Sequence, residues 1–216
     1  MEKQRYKISA LILGAGDGGR MNNQPKAFLE KGDNTFLEHA INQVTPYADE
    51  IIAGVRAEDL GKVTSLNNDK VTIIAGGSTR QKTLENLVNQ SYGELLLIHE
   101  VARPNATGEL FRKVIETALT HDIAMPYIHA SIRDAVALKD GDTLKQTLLR
   151  KDVVRVQTPQ ACKAKILKSA LKQAKENNWV ESSNAALFLK AGYQIKLVPS
   201  VEENIKVTYP EDLSLI

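Results

Sequence analysis

Cysteine is almost missing from this sequence: Cys162 stands alone among 216 residues and has no partner for an internal disulfide. Long apolar runs are missing too, since no stretch approaches the roughly 20 residues that a membrane-spanning helix needs. Neither sign of charge dominates, at Lys+Arg 28 against Asp+Glu 26, so no field of one sign covers the surface. That disfavours general nucleic-acid binding, while local basic clusters stay available to hold phosphates. His39, His99, His121 and His129 are scattered, and no His or Cys cluster has metal-ligand spacing. Each is assigned a structural or solvated role; His99, which precedes Glu100 at a strand end, is the least readily dismissed. No internal repeat, low-complexity linker or signal-peptide core is visible, and Met-Glu-Lys-Gln-Arg leads straight into a strand-like run. These absences point to a soluble, cytoplasmic protein whose length suits one α/β domain with a full-sized core.

What is present is a rhythm. Short apolar runs recur at Ile8 to Leu13, Glu50 to Val55, Lys70 to Ala75, Glu94 to His99, Ile123 to Tyr127 and Gln194 to Pro199. Between them lie segments of helical character, among them Phe36 to Val44, Gln81 to Gln90 and Gly108 to Ala118. This alternation predicts a three-layer α/β fold, a mainly parallel twisted sheet with helices on both faces. Residues 129–150 break the rhythm with polar, β-prone pieces around a turn at Lys139-Asp140-Gly141-Asp142, which predicts a projecting β-arm.

The first apolar run opens into Gly14-Ala15-Gly16-Asp17-Gly18-Gly19-Arg20-Met21 and then Pro25-Lys26. Glycines let backbone N–H groups approach phosphate oxygens with no Cβ in the way, so a polyphosphate cradle is expected. Gly14, Gly16 and Gly19 formally satisfy G-x-G-x-x-G, the dinucleotide-binding pattern. That pattern requires a helix directly after the loop, which Asn22-Asn23-Gln24-Pro25 interrupts. A P-loop would need Lys and then Ser or Thr where Arg20 and Met21 stand. Arg20 and Lys26 instead supply two cations beside the loop. Nucleotidyl transfer needs such charge, because negative charge builds on the α-phosphate and the departing pyrophosphate.

Four further segments join this loop: Gly76-Gly-Ser-Thr-Arg-Gln-Lys-Thr83, His99-Glu-Val-Ala-Arg-Pro104, Gln157-Thr-Pro-Gln160 and Asn204-Ile-Lys-Val-Thr-Tyr-Pro-Glu-Asp-Leu213. Together they resemble the cytidylyltransferases that act on 2-C-methyl-D-erythritol 4-phosphate and their relatives that act on ribitol 5-phosphate. The segments run in that family's order over nearly the whole chain, which the resemblance makes a single domain, 1–216. It implies transfer of CMP from CTP to a small sugar or polyol phosphate, with release of pyrophosphate. It implies that Gly14 to Gly19 wrap the triphosphate, that Arg20, Lys26 and Lys206 are catalytic, and that Gly77, Ser78 and Thr83 read the base. Glu100, Arg103 and Arg150 fall to the substrate side, the two arginines as grips for its phosphate. Mg²⁺ carried by the nucleotide, and a homodimer in which the arm over 129–150 crosses the interface, are implied as well.

The chain departs from the family pattern on the acceptor side. Glu100 replaces the usual Asp, and Asp134-Ala135 lacks the hydroxyl of an Asp-Thr pair. Ser182-Ser183-Asn184-Ala185 replaces Thr-Asp-Asp/Glu-Ala. A divergent acceptor is therefore expected, beside methylerythritol phosphate as the first choice. A UTP- or GTP-dependent transferase, a catalytically silent nucleotide-binding homologue and a dinucleotide-dependent oxidoreductase are the competing readings.

Overall fold

A computed structural model describes residues 6–63, 68–130 and 134–216. Residues 1–5 and 64–67, and residues 131–133 within the expected arm, lie outside the described residues. In chain order the strands begin with β1 (Ile8–Leu13), a small hairpin of β2 (Glu30–Lys31) and β3 (Asn34–Thr35), β4 (Glu50–Val55) and β5 (Val71–Ala75). They continue with β6 (Leu95–Glu100), β7 (Ile123–His129), a second hairpin of β8 (Val136–Asp140) and β9 (Thr143–Leu148), then β10 (Val154–Val156), β11 (Gln160–Lys163) and β12 (Lys196–Pro199). The α-helices are α1 (Phe36–Val44), α2 (Arg80–Gln90), α3 (Gly108–His121), α4 (Ala164–Glu176) and α5 (Asn184–Lys190).

The main sheet is mostly parallel and its centre runs β6-β1-β4-β5. Tyr127 of β7 pairs with Val156 on one edge and with Pro199 on the other, so β12 closes the sheet beyond β7. β11 inserts antiparallel between β6 and β7, and β10 continues along the same edge of β7. This reversed strand, like α4 and α5, is not anticipated by the apolar rhythm.

Both faces of the sheet are covered, so its central strands are apolar on both sides. Ala10 and Ile12 point to one core, packed by Phe36, Ile41, Phe111 and Val114 of α1 and α3. Leu11 and Leu13 point to the other, packed by Leu84 and Leu87 of α2 and by Leu167 and Phe188 of α4 and α5. This is the period-2 alternation of a strand buried on both faces. Each such Leu or Phe stabilises the fold by about 1.5–3 kcal/mol through burial. Side-chain caps fix where the helices start: Thr35 with Glu38 forms a capping box on α1, and Thr79, Thr107 and Ser183 cap α2, α3 and α5.

The expected arm is a hairpin. Asp140 pairs with Thr143 across a turn at Gly141-Asp142, where Gly141 has φ 55°. Almost every residue of β8 and β9 is exposed, including Leu138 and Leu144.

Candidate active site

The strand order itself marks the site. From β1 the chain moves outward to β4 and β5, then crosses to β6 on the other side of β1. A crevice opens at the carboxyl ends of the two strands where the order reverses, the usual ligand position in open α/β sheets. Leu13 and Glu100, the last residues of β1 and β6, are register partners there. A cavity of about 560 Å³ sits above them.

Gly14, Ala15, Gly16, Asp17, Gly18 and Gly19 form one wall of the cavity. The loop leaves β1 with the Gly14 N–H donating to the Gly54 carbonyl (2.8 Å). It folds back where the Gly18 carbonyl accepts from Met21 (2.6 Å) and Asn23 (3.1 Å), with Gly18 at φ 72°. Asn22 and Asn23 are also left-handed, and the chain goes on to a single 3₁₀ turn, Lys26–Phe28. No helix opens at this loop, which removes the dinucleotide reading.

Arg20, Lys26 and Lys206 line the same cavity, although Lys206 lies far along the sequence. The Lys26 ammonium donates to the Val207 carbonyl (2.9 Å), which ties the first cation segment to the last. Burial, then the like charges of Lys206 and Arg20, lower the Lys26 pKa. Lys206 Nζ lies 2.6 Å from Glu100 Oε2.

Glu100, 9% exposed, is held by cations on both oxygens, because Arg80 Nε reaches Oε1 at 2.9 Å. Burial alone would raise its pKa; Arg80, Lys206 and Arg103 more than reverse this and hold it at about 2. Arg80 in turn donates to Asn184 Oδ1 (2.6 Å), and Asn184 donates to Gln160 Oε1 (2.8 Å). Asn184 thus serves as a buried neutral bridge. Glu100→Gln is expected to lower stability by about 2–3 kcal/mol, less than a fully buried pair because Lys206 is partly solvated. The lowered pKa means that this contribution is present above pH 4.5 and is lost as pH falls towards 2. Urea melts of both proteins between pH 7 and 3 check it: their difference should shrink towards acid.

A neighbouring wall is Gly77, Ser78, Thr79, Arg80 and Thr83. A Cβ at Gly76 would lie 2.3 Å from Ala15 Cβ, so this loop touches the glycine loop directly. The Thr83 hydroxyl accepts from the Gly77 N–H (3.0 Å) and donates to the Thr79 carbonyl (3.0 Å). It helps to shape the lining of the cavity.

Arg103 and Arg150 do not line the cavity. Arg103 is 8% exposed and donates through Nη1 to the Asn204 carbonyl (2.6 Å), while its buried Nε has no partner among the described residues. Asn204 also donates to Gln157 Oε1 (2.9 Å) and to the Thr158 carbonyl (3.0 Å). The structure thus turns Arg103 towards the segment that carries Lys206 and not into this cavity. Arg150 lies in a 3₁₀ turn at the foot of the hairpin and is exposed. His99 is fully buried, which pushes its pKa down to about 3 and keeps it neutral. Its Nδ1 lies 3.3 Å from Thr158 Oγ1, in keeping with the structural role expected of it. Burial raises the Cys162 thiol far above its usual range, so it is inert.

The sequence model of one family, described as IspD: 2-C-methyl-D-erythritol 4-phosphate cytidylyltransferase, matches residues 8–216. The chain belongs to the IspD family. It is 32% identical to the 2-C-methyl-D-erythritol 4-phosphate cytidylyltransferase of Aquifex aeolicus, over 96% of this chain and 95% of that one. It is 31% identical to a bifunctional IspD/IspF enzyme of Granulibacter bethesdensis, covering 97% of this chain but 55% of that longer protein. The crystal structure of the Thermus thermophilus 2-C-methyl-D-erythritol 4-phosphate cytidylyltransferase superposes with a TM-score of 0.80 at 29% identity, over 97% of this chain and 96% of that one. IspD membership makes this chain a cytidylyltransferase, one kind of nucleotidyltransferase, on a nucleotidyltransferase-like fold. Two parts of this IspD site escape a reading of the sequence: the Val207 carbonyl that receives Lys26, and Tyr209, whose ring lies against Arg20. An aromatic residue three positions after the catalytic-type lysine was the available signal.

Proposed function

We propose that this chain transfers CMP from CTP to 2-C-methyl-D-erythritol 4-phosphate, giving a CDP conjugate and pyrophosphate. The meeting of Arg20, Lys26 and Lys206 around one glycine-walled cavity carries this reading. An oxygen of the acceptor phosphate attacks the α-phosphorus of CTP while the bond to the β-phosphate oxygen breaks, and pyrophosphate departs. The loop amides and the Arg20 and Lys26 side chains offset the charge that accumulates on the α-phosphate and the leaving group. Lys206, steadied by Glu100, presents its ammonium to the same space and orients the incoming phosphate.

Mg²⁺ fits this site as an ion carried by the nucleotide. Among the described residues no group of three or more His, Cys, Asp or Glu could hold a metal. Asp17 is the lining carboxylate that no Lys or Arg holds in an ion pair among those residues, and one carboxylate plus phosphates and waters is a common Mg²⁺ set. When bound, the ion would supply positive charge that offsets the charge of the phosphates, with Asp17 as the carboxylate to hold it.

A homodimer is proposed as well, in which the exposed hairpin, with Leu138 and Leu144, packs on a second copy and carries Arg150 to that copy's acceptor site. The cytoplasm, where an unpaired thiol such as Cys162 stays reduced, is the proposed location. Among the described residues no helix is long and apolar enough to cross a membrane.

The missing hydroxyl at Ala135 and the burial of Arg103 away from the cavity favour a second reading, in which ribitol 5-phosphate or another polyol phosphate is the acceptor. Mass spectrometry after incubation with CTP, Mg²⁺ and pooled sugar and polyol phosphates separates the two by the CDP conjugate formed. No conjugate and no pyrophosphate with any acceptor would mean a silent nucleotide-binding homologue. UTP or GTP in place of CTP tests the base.

The lowered pKa of Lys26 sets an alkaline limit. The charged form is lost as pH rises through a value below 10.5, so kcat/KM for CTP is expected to fall before an ordinary lysine would titrate. Lys26→Arg keeps the charge at alkaline pH and should move this limb upward. A pH–rate profile of both proteins checks it; an unmoved limb would assign it to another group.

A further inference from the structure

Arg20 differs from Lys26 and Lys206, which line the same cavity, in what holds it. Lys26 is anchored by the Val207 carbonyl and Lys206 by Glu100. Arg20 is exposed and forms no ion pair among the described residues, yet two lining carboxylates, Asp17 and Glu100, stand in the same cavity. Its guanidinium carbon lies 5.7 Å from the centroid of the Tyr209 ring, within cation–π range.

The backbone that carries the ring is held in place. The Tyr209 N–H donates to Asp212 Oδ2 (2.9 Å), the Thr208 N–H donates to the same oxygen (2.7 Å), and the Asp212 N–H donates back to the Tyr209 carbonyl (3.0 Å). Pro210 starts the 3₁₀ turn that follows, and the Val207 N–H is tied to the Ala102 carbonyl (2.8 Å). The aromatic face therefore stands on a backbone fixed on both sides, beside the cavity wall.

From this arrangement we infer that Tyr209 is a positioning residue for transfer chemistry, acting through Arg20; the inference rests on the function proposed above. A carboxylate partner would neutralise the guanidinium and occupy its N–H donors. An aromatic face holds the flat group by its π surface and leaves the in-plane donors for phosphate oxygens. Tyr209 also keeps Arg20 from folding onto Asp17 before the triphosphate arrives, so that less reorganisation accompanies the reaction.

The experiment compares wild type with Tyr209→Phe, Tyr209→Trp and Tyr209→Leu in pyrophosphate release from CTP and methylerythritol phosphate with Mg²⁺. Melting temperatures serve as a control on folding. Tyr209→Leu is expected to lower kcat/KM about two- to fivefold, the range of an exposed cation–π contact. Tyr209→Phe and Tyr209→Trp keep the aromatic face and should restore it. In an Arg20→Gln background, where the cation is gone, Tyr209→Leu should add almost nothing. Equal activity of Tyr209→Leu and wild type would overturn the inference, as would loss in Tyr209→Phe equal to that in Tyr209→Leu, or an undiminished Tyr209→Leu effect in Arg20→Gln. A wild-type protein with no turnover would instead refute the proposed function.

Discussion

Lys26→Ala is expected to lower kcat about 10²- to 10³-fold while changing CTP affinity far less. That is the loss typical of removing one preorganised group from developing charge. Lys26 sits part-buried between two other cations with its ammonium fixed on the Val207 carbonyl, so it meets charge on the phosphates without rearranging. The same setting predicts an unusual stability result. Burial and like charge lower its pKa, so the folded apo protein disfavours the proton that the unfolded chain holds below pH 10.5. At neutral pH, Lys26→Ala removes that penalty, and the apo protein should melt no lower than wild type. Single-turnover kinetics and calorimetry test the two halves separately. A rise in KM with kcat intact would show that Lys26 contributes ground-state binding only.

Gly18→Ala should cut kcat/KM about 100-fold, the scale of a loss when reacting groups are displaced by roughly 1 Å. At φ 72° a side chain is strained, by about 1–2 kcal/mol. The more severe problem is contact, since a Cβ at residue 18 would lie 1.9 Å from the Gln24 carbonyl oxygen. The backbone must open there, and the opening moves the segment that carries Arg20 and Lys26. Gly61→Ala is the matched control, because a Cβ at Gly61 meets nothing within 4 Å. Steady-state kinetics of the two variants, with far-UV circular dichroism to confirm the fold, decide the matter; a Gly18→Ala enzyme with wild-type kcat/KM would show that the loop tolerates the change.

The layers of the fold were legible because β1, β4, β6 and β7 are buried runs whose apolar character needs no context. β11 was not. Its four residues, Gln160–Lys163, are reversed by the partners on either side, β6 and β7, and no local pattern encodes direction. Helix α4 has its buried residues Ala164, Leu167, Ala170, Leu171 and Ala174 at helical spacing, but three are alanines and the signal is weak against Lys-rich surroundings. In the site, Arg20, Lys26 and the glycine loop follow from one short stretch whose chemistry is local. The inward turn of Arg103 does not, because it is decided by the carbonyl of Asn204 and the Gln157 side chain that fixes it, contacts between distant segments. The Thr83 hydroxyl is legible from sequence as a polar group of the Gly76–Thr83 segment, while its partners, Gly77 and Thr79, are set by the cap of α2.

The tie between Lys26 and the Val207 carbonyl also separates scaffold from charge. The last strand of the sheet, β12, ends at Pro199, so Lys206 and Val207 belong to a segment that follows every strand. A proteolytic nick between Pro199 and Lys206 would leave the strand pairings intact while freeing one cation and the carbonyl that holds another.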